Sequence, residues 1–369
     1  MIKRILYTLL IMFPVVASAQ INTDRVMAIG RNALYFEDYV LSIQYFNQVI
    51  NAKPYLSDPY FYRGLAKINL DDFQGAESDC SEAIERNPFV VSAYQVRGLA
   101  RIQQNNFAGA IEDYTKALEF DPENIGVWHN MALCRIRQED YKGAKNDLDK
   151  LIAISPRYTK AYLMRGEVDL KQKDTLAAEK DFGKAIEIDR YDADTWASRA
   201  ILRLQQQRYK DAEADFDHAI RLSTRNSGVY INRALARYHQ NNLRGAMSDY
   251  DIALDIDPNN FIGHYNRGLL RAQVGDDNRA IQDFNFVIEM EPDNMMAIFN
   301  RGLLLDQTGD YKGAIKDYST VINEYPNFLL GYQYRAQARR KIGDVKGADA
   351  DEFKVLKACL LYTSPSPRD

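Results

Sequence analysis

The residues in this 369-residue chain with the means for acid–base, nucleophilic or metal chemistry are four histidines, three cysteines and 51 carboxylates. Their spacing does not assemble a reactive site. His129, His218, His239 and His264 form no HExxH or other metal-ligand spacing, and the cysteines form no CxxC. There is no Gly-rich phosphate-binding loop, and no nucleophile stands beside a placed base. The expectation is a protein that is not an enzyme and uses neither metal nor cofactor. A different set of residues suits binding. Phe61, Gln95, His129, Ile231, Tyr265 and Phe299 are separated by 34 residues or multiples of 34, and Asn130, Asn232, Asn266 and Asn300 each follow a member of that series. Apolar side chains next to amides suit an extended or helical peptide, because pockets take its side chains and amides bond its backbone.

The same interval of 34 organises the whole chain. Prolines stand at 54, 88, 122, 156, 258, 292 and 326, with Arg190 and Thr224 at the two vacant places. We number positions 1–34 in each repeat so that one repeat runs from Ser227 to Asn260. Position 8 is then Gly or Ala throughout, from Gly30 to Ala336. Position 20 is Ala from Ala76 to Ala348, with Ser42 in the first repeat. Positions 4 and 24 are mostly aromatic, as in Tyr230 and Tyr250. Residues four apart share one face of a helix. Small residues at 8 and 20 therefore let two helices approach closely, aromatics at 4 and 24 fill the space beside them, and proline at 32 ends the second helix. A period of this size predicts an all-α stack of helix-turn-helix units.

This pattern resembles the tetratricopeptide repeat family, over Thr23 to Ala358. The resemblance implies a right-handed superhelical solenoid in which the first helix of each repeat lines a concave groove. Positions 5, 9 and 12 share a face of that helix, so the residues named above become candidate groove residues. The chain departs from the family at position 7, which is arginine (Arg63, Arg97, Arg165, Arg199, Arg233, Arg267, Arg301 and Arg335) instead of leucine. Each of those repeats has aspartate at 23 (Asp79, Asp113, Asp181, Asp215, Asp249, Asp283, Asp317 and Asp351), whereas Met131 leaves Asp147 without its arginine. Pairing of the two, within a repeat or across a junction, is expected. Position 11 is basic in seven repeats, from Lys67 to Arg339, and reads as an acid-bridged or solvated stripe; a basic track for an acidic partner is the alternative. No repeat carries the Lys-5, Asn-9 pair with which some family members clamp a C-terminal carboxylate.

The ends differ from the repeats. Lys3 and Arg4, a largely apolar run over 5–16 and Ala17-Ser18-Ala19 have the layout of a secretory signal peptide over 1–19. Export to the periplasm or the exterior is expected, with no membrane-spanning segment. Cys359–Asp369 departs from the repeat in mid-helix, and its back-translation resembles a sequencing-library adapter. The ten repeats over 23–358, the last incomplete, are thus expected to continue in the native protein. Loss of Lys3 and Arg4 takes the formal charge from -4 to -6, which argues against nucleic acid as a partner. Cys80 and Cys134 lie two repeats apart, too far for a disulfide, and read as buried small hydrophobes. The expected function is an exported scaffold that binds protein or peptide in its groove. The alternatives are the N-terminal region of a longer sensor or enzyme cut after Ala358, and binding of cell-wall glycan through groove aromatics such as Tyr265 and Phe299. Oligomeric state is not legible in the sequence.

Overall fold

In the computed structural model, residues 22–363 are described, apart from residue 224, and side chains are described as far as Ala358. The signal-peptide reading and most of the foreign-tail reading fall outside them. The described residues form twenty α-helices and no strand. They divide into two compact units, residues 1–174 and 175–369. In the first unit the helices pair as Thr23–Tyr35 with Tyr39–Ala52, Asp58–Ile68 with Phe73–Arg86, Val91–Gln103 with Phe107–Phe120, and Ile125–Arg137 with Tyr141–Ile154; Thr159–Lys171 follows. The second unit begins with Thr175–Ile188. Its pairs are Ala193–Gln205 with Tyr209–Leu222, Ser227–His239 with Leu243–Ile256, Phe261–Gln273 with Asp277–Met290, Met295–Gln307 with Tyr311–Glu324, and Leu329–Lys341 with Val345–Thr363. The predicted all-α repeat architecture is therefore present, and the last helix runs past Ala358 to Thr363.

Each hairpin is built the same way. The alanines at position 20, from Ala76 to Ala348, are fully buried, and Ser42 takes the same place with its hydroxyl donating to the Tyr39 carbonyl at 2.8 Å. At position 24 the rings of Phe46, Tyr114, Phe182, Phe216, Phe284 and Tyr318 are wholly enclosed. Burying each such ring is worth roughly 1.5–3 kcal/mol. At Gly98 a β-carbon would lie 2.7 Å from the Tyr114 ring, so this glycine is what allows the ring to sit there.

The turn between the helices has two recurring devices. Position 15 adopts a left-handed conformation in every repeat: Gly275, Gly309 and Gly343 in three, and Glu37, Asp71, Asn105, Glu139, Lys173, Gln207 and Asn241 in the other seven. This conformation ends the first helix. Position 16 then caps the second helix, as when the Asp72, Asn106 and Asp140 side chains accept from the N–H of Gly75, Gly109 and Gly143 at 2.9, 3.1 and 3.0 Å. That bond, followed by the Arg135 ion pair, holds the Asp140 carboxyl below its usual range.

The junction between repeats has its own lock. The polar end of the position-4 ring donates to the position-32 carbonyl of the preceding repeat. Tyr60, Trp128, Tyr162 and Trp196 donate in this way to Pro54, Pro122, Pro156 and Arg190 at 3.3, 2.8, 3.1 and 3.0 Å. In the repeat that starts at Phe261 a histidine replaces the aromatic. His264 Nε2 lies 3.0 Å from the Pro258 carbonyl and Nδ1 lies 3.0 Å from Asp283 Oδ1. These rings pack, as their spacing predicts, but in five repeats they also tie the repeat to the one before it.

Candidate binding face

Behind the candidate face lies the arginine–aspartate ladder. Where a repeat carries both residues and lies within one unit, the guanidinium at 7 and the carboxylate at 23 pair at 2.5–2.8 Å: Arg63 with Asp79, Arg97 with Asp113, Arg199 with Asp215, Arg233 with Asp249, Arg267 with Asp283, Arg301 with Asp317 and Arg335 with Asp351. The aspartates are buried and the arginines only slightly exposed. The third guanidinium nitrogen reaches position 25 of the preceding repeat. Examples are Arg63 to Asn47 at 2.6 Å, Arg97 to Ser81 at 3.1 Å, Arg165 to Asp149 at 2.6 Å and Arg233 to Asp217 at 2.7 Å. The arginine also lies over its own position-4 ring, 5.4 Å from the centroid for Arg233 over Tyr230. The pairing thus operates both within repeats and across junctions. The planar guanidinium grips the carboxylate through two nitrogens and keeps the third for position 25, a geometry that the point charge of a lysine does not reproduce.

The basic residues at position 11 are spent on the same carboxylates. Lys67, Arg101, Arg135, Arg203, Arg237, Arg271 and Arg339 each lie within 3.0 Å of the aspartate at 23 in their own repeat. Arg101, Arg203 and Arg237 also pair with Glu77, Glu179 and Glu213 of the preceding repeat, at 2.8, 3.0 and 2.7 Å. Burial pushes the Glu77 carboxyl up, but bonds from Arg101 and Gln104 outweigh it and leave it below its ordinary range. This is an acid-bridged stripe and not a free basic track. One junction is reversed: Lys145 pairs with Asp169 at 2.5 Å. Asp147 has no arginine at 7, only Arg135, and burial raises its carboxyl to about 6.

The face itself combines packed and open positions. At position 5, Ile231 is 7% exposed and belongs to the core with Tyr250 and Leu270, so it offers almost nothing to a ligand. Phe61 and Gln95 are half-buried. His129 is half-buried, its Nδ1 lies 3.3 Å from the Tyr158 hydroxyl, and burial followed by the Lys160 charge lowers its pKa. Tyr265 sits edge-on to Phe284, and Phe299 packs against Tyr318, Phe328 and Tyr334. The position-6 amides Asn130, Asn232, Asn266 and Asn300 are half-buried, and Asn300 Nδ2 donates to the Tyr265 hydroxyl at 3.1 Å. Position 9 is more open: Leu99, Ile201 and Leu269 are 39%, 36% and 40% exposed. These three are more open than the position-5 candidates and are not among the candidates chosen from sequence, whereas Leu65, Leu133, Leu235 and Leu303 at the same position are half-buried.

Two concavities stand out. One, of about 380 Å³, is lined by Met295, Met296, Phe299, Asn300, Val321, Tyr325 and Phe328. The other, of about 620 Å³, includes Arg97, Asp113, Lys116 and Glu119. Its charges pair with one another, Arg97 with Asp113 at 2.6 Å and Lys116 with Glu119 at 2.9 Å. Cys80 and Cys134 are free and fully buried, and burial pushes their thiols up to about 12 and about 11. Among the described residues no group of three or more His, Cys, Asp or Glu could hold a metal ion. No described helix is long and apolar enough to cross a membrane.

A repeated two-helix unit with small residues at its crossing and an open face on its first helices defines a class of repeat proteins, and sequence comparison places the chain within it. Profiles described as "Tetratricopeptide repeat" match residues 198–261, 265–327, 125–158 and 159–192, and one described as "TPR repeat" matches residues 98–134. Together they cover more than half of the chain, which belongs to the tetratricopeptide repeat family. Among solved structures, the chain is similar to a tetratricopeptide repeat protein from Parabacteroides merdae (21% identity, 68% of this chain and 98% of that one, TM-score 0.52). It is also similar to the C-terminal part of a repeat protein from Cytophaga hutchinsonii (17% identity, 64% and 97%, TM-score 0.53) and to PilF of Pseudomonas aeruginosa (19%, 59% and 97%, TM-score 0.50). At these identities the likeness is one of fold. No curated protein sequence matches the chain.

Proposed function

We propose that this protein is an exported scaffold that binds a protein or peptide on the faces that the first helices of its repeats form within each unit. The observation that carries the reading is the exposure of Leu99, Ile201 and Leu269 at position 9. Leu99 and Ile201 stand in helices whose other apolar positions are packed; Leu269 shares its helix with the exposed Phe261 and Ile262 and lies one turn after the Asn266 amide. Apolar groups that recur at a fixed interval with amides beside them are suited to a peptide chain. The ion-paired ladder keeps the arginines engaged, so recognition on this face rests on shape and apolar contact more than on charge. Support for export comes from the basic, apolar and small-residue sequence over 1–19.

A pull-down from the source organism's extracellular and envelope fractions tests the binding reading. Leu269→Glu and Leu99→Glu should each reduce partner recovery at least tenfold while helical content is unchanged; equal recovery would refute it. Cell fractionation with N-terminal sequencing of the mature protein tests export, which predicts a new N-terminus at Gln20. Recovery of full-length protein in the cytoplasm would overturn it.

A further inference from the structure

In the cavity lined by Met295 and Phe299, Met296 and Tyr325 break the repeat pattern. Position 2 is Asp24, Asp58, Ser92, Gly126, Lys160, Asp194 and Gly228 in the first seven repeats, then Ile262, Met296 and Leu330 in the last three. Position 31 is polar or charged from Lys53 to Glu291 and becomes Tyr325 here. At position 34 the two preceding repeats have Asn260 and Asn294, which cap the next helix by accepting from Gly263 and Ala297 at 3.0 Å. Phe328 takes that place and makes no side-chain cap. Its ring instead meets Phe299 edge-on at 5.1 Å. Val90 and Tyr158 likewise leave their helices without a side-chain cap; what sets this repeat apart is that Phe328 is joined by Tyr325 and Met296 in an apolar wall. Met296 and Tyr325 are 69% and 55% exposed, so the wall is not closed by the protein's own packing.

We infer that this cavity is an anchor site for one large apolar side chain of a partner peptide, flanked in that peptide by lysine or arginine. The inference rests on the reading of the first-helix face as a peptide-binding surface and adds the chemistry of its partner. The volume, about 380 Å³, lies at the lower end of the ligand-pocket range of about 300–1,000 Å³. That suits one or two side chains and not a packed helix. Paired methionines adapt to whatever ring or branched chain enters. Asn300 supplies the polar handle. Its Nδ2 donates to the Tyr265 hydroxyl at 3.1 Å, and its Oδ1 is the acceptor it can offer to a peptide N–H. The charge preference comes from the rim. Residues 286–300 and 321–330 carry Glu289, Glu291, Asp293 and Glu324 and not a single lysine or arginine. Glu289, Asp293 and Glu324 are exposed. A cation beside the anchor meets favourable potential there, and an anion meets repulsion.

The test uses the full chain with methyl-labelled methionine and three short fluorescein-labelled peptides. The first has a central phenylalanine between two lysines, the second has alanine at the centre, and the third replaces the lysines with glutamates. The expected result is that the first peptide shifts the Met295 and Met296 methyl signals, and that the other two bind at least tenfold more weakly. Tyr325→Ser should weaken the first peptide at least fivefold with helical content unchanged. The double variant Asp293→Lys, Glu324→Lys should reverse the preference between lysine and glutamate flanks. No methyl shift with any peptide, or equal affinity for all three, would overturn the inference. If Leu269→Glu abolishes partner capture while these pocket changes leave the first peptide's binding unaltered, the face still binds peptide and the anchor assignment alone fails. If the peptide behaves as expected and partner capture ignores Leu269→Glu, the anchor stands and the extended-face reading falls.

Discussion

Two repeats with the same buried aspartate use it in opposite ways. In residues 227–260, Asp249 receives Arg233 through Nε and Nη2 at 3.0 and 2.6 Å and Arg237 through Nη1 at 2.8 Å. Both arginines then reach back, to Asp217 and Glu213 at 2.7 Å each. In residues 125–158, Met131 replaces the first arginine, and Asp147 keeps only Arg135 Nε at 2.7 Å. That arginine is shared with Asp140 at 2.9 Å. A carboxylate buried with two forked guanidiniums is part of a clamp. The same carboxylate buried with half a partner is a site where ionisation is disfavoured. The difference follows from desolvation, which is offset only when the partner set is complete.

The largest test of this contrast removes the clamp. Asp249→Ala should destabilise its repeat by about 3–5 kcal/mol, the cost of leaving buried charges unpaired. Asp147→Ala should cost clearly less. Urea unfolding followed by hydrogen exchange in each repeat reads both, and equal losses would erase the distinction. The next effect is on pH. Burial puts the folded-state pKa of Asp147 at about 6, above the value of about 3.9 in an unfolded chain. The fold therefore holds that proton more tightly than the unfolded chain does. Its contribution is full below about pH 4, fades as pH rises through 6, and amounts to at most about 3 kcal/mol. Asp147→Asn should flatten the stability profile over that window.

Two smaller predictions probe the third arm of the arginine and the turn. Arg199 pairs with Asp215 but faces Gly183 where its counterparts meet Asp149, Asp217 or Asp251, and a β-carbon on Gly183 would touch nothing within 4 Å. Gly183→Asp should stabilise the second unit by more than Gly183→Ala, which alone recovers up to about 1 kcal/mol of helix propensity. Thermal denaturation of the pair isolates the added bond. Gln207 has φ of 61° at a position that is glycine in three other repeats. Gln207→Gly should therefore gain up to about 1 kcal/mol by relieving the left-handed strain, and Gly309→Gln should lose a similar amount.

Much of the fold was legible because each structural constraint recurs in most of the ten repeats. The alanines at 20, the rings at 24 and the pairing of Arg63 with Asp79 follow from period and residue type alone. The tie from the position-4 ring to the position-32 carbonyl was not, because its acceptor is backbone and leaves no trace in side-chain identity. The left-handed turn at position 15 was partly hidden: Gly, Asn or Asp marks it in six repeats, but Glu37, Glu139, Lys173 and Gln207 do not advertise it. The binding face was read less well. Helical spacing groups positions 5 and 9, but neighbouring repeats decide which of them stays open, and Ile231 went into the core while Leu269 did not. Tyr325 had a signal, the break in an otherwise polar column at position 31, that emerges only when repeats are compared place by place; Phe328 had none, because Leu56, Val90 and Tyr158 share its position.

The reversed pair Lys145–Asp169 bears on how the gene can change. Tandem repeats expand and contract by unequal recombination, which inserts or deletes whole repeats in register. Most such events here would be electrostatically silent. Deleting residues 159–192, however, would set Lys145 opposite Arg203, two cations where a salt bridge had been, and would strip Glu179 from the junction. That one exchange of signs makes its neighbours the least interchangeable repeats in the array.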